Sequence, residues 1–294
     1  MPNVPWFIGV FTLLFLGWLI TIGPEAGNVE KPFLEPPPPI GEGGTYGPSL
    51  SAPKKEAEKT YVDMGGNTIL KQDSLLGEQI ALSGYYLGNS TNPNEEYLVI
   101  IASDSNTRPV NITGWKLQSA ITGRSTVIDR GTYLFRSGQV NTEQSVFLNP
   151  GDRAFVVTGR SPVGVSFKLN ACTGYLEQFQ NFAPQLPLQC PHPLEENFPT
   201  GPQGLSNECI DYLRLFPRCA IHTLAIPPQF SGLCQDYIQK VTYTECVEKH
   251  KSDSNFYKPE WRIFLKRDAE MWKERYETIY LLTESGKLVD SISY

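Results

Sequence analysis

Positive charge is scarce in this chain of 294 residues. Lys and Arg number 25 against 31 Asp and Glu, giving a formal charge of −6, and charged residues make up only 19% of the sequence. A protein that reads nucleic acid through its phosphates needs a basic footprint, so the composition argues against a DNA or RNA partner. Histidine is scarcer still, at positions 192, 222 and 250, and forms no HExxH pair for a catalytic zinc. No P-loop lysine motif occurs, and Gly159-Arg-Ser161-Pro-Val-Gly164 has one residue too many for a GxSxG elbow. The glycine-rich Gly41–Gly47 segment carries Tyr46 where a GxGxxG loop needs its third glycine. The adjacent pairs Glu95-Glu96 and Glu195-Glu196 read as solvated surface, because neighbouring side chains diverge on helix and strand alike. No cofactor or metal motif is complete, and the expected protein is not an enzyme. A hydrophobic content of 40% nevertheless excludes a wholly disordered chain.

Charge is missing altogether from the first 24 residues, and Trp6–Gly23 is an unbroken apolar run of 18. As a helix it would extend roughly 27 Å, close to the hydrocarbon thickness of a bilayer. Trp6 and Trp18 suit interfacial positions, and Pro24 with Glu25 ends the run. A cleaved signal peptide would have a shorter apolar region and a small-x-small cleavage site. Residues 1–24 are therefore expected to be an uncleaved signal anchor, a single transmembrane helix that makes the membrane a partner of the chain. Residues 25–74, with Pro36–Pro39 enforcing extended backbone, read as a Pro/Gly-rich stalk.

Cysteine is absent until position 172, after which Cys172, Cys190, Cys209, Cys219, Cys234 and Cys246 follow within one quarter of the chain. An even number behind a membrane signal implies disulfides in an oxidising compartment, with the C-terminal domain extracytoplasmic or at the cell surface. Each histidine follows a cysteine closely, so a zinc-stabilised Cys/His module is an alternative, though the usual chelate spacings are missing. Cys209 and Cys219 bracket nine residues, and Cys234 and Cys246 bracket eleven. Two short helices joined across Pro227-Pro228 would align these spacings as an antiparallel hairpin. That geometry predicts Cys219–Cys234 and Cys209–Cys246, leaving Cys172–Cys190 to close its own loop. Tyr175, Phe179, Phe182 and Phe198 offer a candidate aromatic binding surface on the same segment, with packing beneath it as the competing use.

Strand texture flanks this segment. Gln79–Leu87, Glu96–Ala102, Val110–Gln118, Ser125–Phe135, Ser145–Leu148 and Arg153–Val157 are β-branched or aromatic runs separated by Gly, Asn, Asp and Pro turns. The pattern returns at Trp261–Leu265 and in a hairpin of Glu277–Leu282 and Lys287–Ser293. Strands at such spacing predict a mainly β fold, a sandwich or barrel spanning 75–294, with a disulfide-rich helical insertion at 171–258. Trp115 is expected in its core.

The order Glu96-Tyr-Leu-Val-Ile100, Asn111-Ile-Thr-Gly-Trp115-Lys-Leu117, Leu148-Asn-Pro-Gly-Asp152-Arg-Ala-Phe-Val-Val157 and Ile279-Tyr-Leu-Leu-Thr-Glu-Ser-Gly-Lys-Leu-Val-Asp290 resembles the lamin tail domain family. The resemblance covers 75–164 and 259–294. It implies an immunoglobulin-like β-sandwich used for structural, adhesion or binding work, with a protein or cell-envelope ligand and no shared catalytic residues. No heptad rod precedes the domain here, so filament assembly is not implied. The alternative in a different class is a cell-surface hydrolase whose site lies between the sandwich and the Cys-rich insertion.

Overall fold

The computed structural model describes residues 12–13, 60–62, 69–71, 73–86, 91–201 and 203–294. The expected membrane helix over Trp6–Gly23 lies outside these residues, apart from Thr12 and Leu13, which are helical. Among the described residues no helix is long and apolar enough to cross a membrane. Most of the expected stalk also lies outside them. Its last part contains a short antiparallel ladder of β1 (Thr60–Val62) and β2 (Ile69–Lys71).

The chain from Lys55 onward forms one compact, mainly β unit. Helix α1 (Ser74–Gln79), capped by the Asp73 carboxylate, leads into β3 (Ile80–Tyr86). β4 (Tyr97–Ala102) pairs antiparallel with β3 on one side and with β9 (Arg153–Val157) on the other. β11 (Tyr257–Phe264) then runs parallel to β9, and β10 (Phe167–Asn170) closes this five-stranded sheet antiparallel to β11. A second, four-stranded sheet has the order β13 (Leu288–Ser293), β12 (Thr278–Leu282), β6 (Lys116–Ser119), β7 (Ser125–Val127), every pair antiparallel. β5 (Val110–Asn111) and β8 (Phe147–Leu148) form a two-residue ladder of their own.

Both large sheets contribute to one core. Leu98, Ile100, Val156, Trp261 and Ile263 from the five-stranded sheet meet Leu117, Ile279, Leu281 and Val289 from the four-stranded one, with Trp115 buried among them. Strand residues alternate between faces, so the neighbours of these residues on β9 and β11, Val157 and Phe264, belong to a different core. There they join Phe167 and Leu169 of β10 against Tyr175, Leu176, Phe182, Leu186, Tyr243 and Val247. The Cys-rich segment between β10 and β11 is thus a third layer laid on the sheet. A smaller core, with Leu205, Leu213 and Ile238, lies within the segment itself.

Three α-helices occupy this layer, where two were expected. α2 (Asn207–Arg214), α3 (Gly232–Gln239) and α4 (Tyr243–His250) are capped by the side chains of Ser206, Ser231 and Thr242, each accepting a backbone N–H that the first turn leaves unpaired. All six cysteines are in disulfides, but the pairs are Cys172–Cys246, Cys190–Cys219 and Cys209–Cys234. None of the three expected pairings forms. The spacing argument needed one helix to run from Cys209 to Cys219 and a second from Cys234 to Cys246. Instead α2 stops at Arg214, leaving Cys219 in a loop at φ 60, and the Thr242 cap begins a new helix between Cys234 and Cys246.

The strand expectations differ from the structure in several places, and β11 begins at Tyr257, within the expected insertion 171–258. Val110–Gln118 is split into β5 and β6 by a bend at Gly114, whose φ of +82 favours glycine. The run from Ser125 is a strand only to Val127. β10 was not anticipated: in Phe167-Lys-Leu-Asn170 all four residues are buried, so the polar-apolar alternation that signals a strand is lost.

Candidate functional site

The four aromatic residues expected to share a binding surface do not do so. Tyr175 and Phe182 are buried beneath the Cys-rich layer, and Phe182 meets Phe167 edge to face with ring centroids 5.9 Å apart. Phe198 is half-buried against the smaller core, and Phe179 alone is open, at 58%. Burial pushes the Tyr175 hydroxyl up to about 12. Tyr175 lies on the short 3-10 helix Thr173–Gln178, whose first four residues are buried.

The histidines have structural partners. His192 accepts the Leu194 N–H at 3.2 Å to cap a 3-10 turn, His222 stacks on Phe216, and His250 lies 2.7 Å from the Asp253 carboxylate. With every cysteine sulfur in a disulfide, no thiolate is available to the zinc alternative. Among the described residues no cluster of three His, Cys, Asp or Glu could hold a metal ion.

The layer meets the sheet through apolar packing, and two of the described cavities at its margin measure about 10 and 20 Å³. The roomiest of the described cavities, an open groove of about 630 Å³, lies elsewhere, between the start of α1, β5 and the β12–β13 turn. Asp73, Gln79, Asn111, Trp115, Glu284 and Lys287 line it. Asp73 is held in place twice, capping α1 at 3.2 Å and facing the Lys287 ammonium at 3.3 Å. The Glu284 side chain lies against Gly114, where an added Cβ would come within 3.3 Å of its carboxyl carbon. An indole beside carboxylates, an ammonium and amides suits a polar ligand held by hydrogen bonds.

Buried charge is the feature that sequence reasoning missed most. Glu96, expected at the surface, is buried, and its two oxygens accept the N–H groups of Met271 and Trp272 at 3.2 and 3.3 Å. Burial raises its carboxyl above the ordinary range. Glu277 is buried as well, accepting from the Ser119 hydroxyl at 2.9–3.0 Å and from the backbone of Lys273 and Thr278. On β11, Arg262 is 2% exposed, with its guanidinium carbon 4.4 Å above the Phe155 ring and Nη2 2.8 Å from Glu260, while Nε and Nη1 have no partner. On β10, Lys168 reaches Asp152 at 2.5 Å. The sequence did carry a weak sign of these groups, since charged residues interrupt otherwise apolar strands at Lys168 and Arg262.

Comparison with protein-family models, with curated proteins and with solved structures found no match for this chain.

Proposed function

We propose that this chain is a membrane-tethered, extracytoplasmic module that presents an immunoglobulin-like, lamin-tail-type sandwich for structural, adhesion or binding work, without catalysis of its own. The observation that carries this reading is the set of three disulfides. They brace a layer that covers one face of the five-stranded sheet, and such bonds persist in oxidising compartments. Two large sheets sharing one core support the sandwich, and the apolar run Trp6–Gly23 followed by proline-rich sequence supports the tether. A ligand of protein or cell-envelope origin would meet the domain at its loops, where the groove beside Trp115 and Glu284 offers an amphipathic, hydrogen-bonding surface.

The test is protease shaving of intact cells that produce the full chain with a C-terminal epitope. Loss of the epitope without lysis supports the outside placement. Retention until the membrane is broken, with a lysis control that digests normally, overturns it.

A further inference from the structure

We propose that Lys168 and Asp152 condense to an intramolecular amide, a covalent staple between β10 and the start of β9 that passes over β11. Their contact has the ingredients of a preformed reaction site. Lys168 Nζ lies 2.5 Å from Asp152 Oδ2, and the two side chains are only 4% and 5% exposed. Lys168 lies opposite Trp261 of the intervening strand, with Nζ 5.7 Å from the indole centroid, so the amine meets the buried carboxyl with an aromatic ring at its side.

Such a pair is costly as two ions, since desolvating an ammonium and a carboxylate competes with their attraction. Burial pushes the Lys168 ammonium down in pKa, toward the neutral amine that a nucleophile requires, against the opposing pull of Asp152 and Glu260. Proton transfer from Nζ to the carboxylate gives the neutral amine and carboxylic acid without any outside reagent. The amine then attacks Cγ. Asp152 Oδ2 already accepts the Asn149 backbone N–H at 3.0 Å and the Asn149 Nδ2–H at 3.1 Å, so two donors hold the oxygen that takes the proton and departs. The Nζ–Cγ bond forms and the Cγ–Oδ2 bond breaks. Oδ2, which received the proton from Nζ, leaves as water with that hydrogen and one amine hydrogen, so atoms and electrons balance and no redox partner is needed.

Fixed geometry of this kind can supply an effective concentration of about 10⁵ M or more, which lets a poor condensation proceed slowly. The product removes both buried charges and closes a loop between residues 16 positions apart in sequence, ending on β10. β10 is the edge strand from which the chain passes to Cys172 and the Cys-rich layer, so the staple would fasten the base of that layer.

The test is the intact mass of the full-length protein, denatured after purification from the oxidising compartment. The staple predicts a mass lower than the sequence value by one water, beyond the six hydrogens lost in three disulfides. It also predicts a tryptic peptide pair joined through Asp152 and Lys168, with no cleavage after Lys168. Asp152→Asn should lose ammonia instead and converge on the same final mass as the unsubstituted chain. Lys168→Arg keeps the positive charge but, lacking a nucleophilic amine, should retain the full mass. An unsubstituted chain at full mass, with Lys168 and Asp152 recovered in separate linear peptides, overturns the proposal even if both variants fail to fold.

Discussion

Cys172, just after β10, is bonded to Cys246 on α4 with their Cα atoms 5.9 Å apart and a sequence separation of 74. The bond fastens the last helix of the Cys-rich layer to the edge of the five-stranded sheet. The other two disulfides act inside the layer, Cys190–Cys219 tying two loops and Cys209–Cys234 tying α2 to α3. One bond therefore docks the layer, and two shape it.

Replacing both Cys172 and Cys246 by Ser should cost about 4 kcal/mol, because the loop it closes is long, against about 3 kcal/mol for the Cys209/Cys234 pair. The first variant should also lose hydrogen-exchange protection at Val157, Phe167 and Phe264, which pack under the layer. The second should lose it only around α2 and α3. Thermal unfolding combined with residue-resolved exchange separates the two outcomes.

Phe182→Ala should destabilise the protein by about 3 kcal/mol or more, as truncation of a buried aromatic leaves a cavity. Phe179→Ala should change stability by less than about 0.5 kcal/mol, because its ring is open to solvent. Denaturant midpoints for the two variants test the division of the aromatic set into core and surface.

Glu277→Ala should cost about 2–3 kcal/mol by leaving the Ser119 hydroxyl and the N–H groups of Lys273 and Thr278 without their acceptor. Glu277→Gln, which keeps one acceptor oxygen, should cost less. Equilibrium urea unfolding of both variants provides the comparison.

Glu96 gives a pH dependence of defined sign. Its folded pKa is raised above the ordinary 4.5, so the folded state binds the proton more tightly than the unfolded state does. Stability from this residue is present below 4.5 and is lost as pH rises from there through the folded value. In Glu96→Gln that downward slope should vanish, whereas carboxylates with lowered pKa values, such as Glu195 beside Arg218 at about 2, act in the opposite direction at lower pH. Stability measured against pH for the two chains isolates the Glu96 contribution.

The strands that alternate or carry β-branched runs were legible, among them β4, β9 and the β12–β13 hairpin, because one face is buried and turn residues bound them. β10 was hidden because a strand buried on both faces has no alternation, and its lysine reads as surface until Asp152 is brought beside it. Disulfide pairing was not legible from spacing. It depends on where helices break, and the Ser and Thr caps that set those breaks looked like ordinary polar residues. Tyr175 and Phe182 look like surface in the sequence because an apolar residue on a Cys-rich excursion shows no sign there of the sheet face it will cover.

The most direct test of this account is non-reducing peptide mapping of the full-length protein extracted from the membranes of producing cells with free thiols blocked at lysis. The account predicts complete oxidation with Cys172–Cys246, Cys190–Cys219 and Cys209–Cys234. Recovery of six blocked thiols would contradict the oxidising compartment on which the proposed function rests, and complete oxidation in other pairs would contradict the docking of the Cys-rich layer on the sheet.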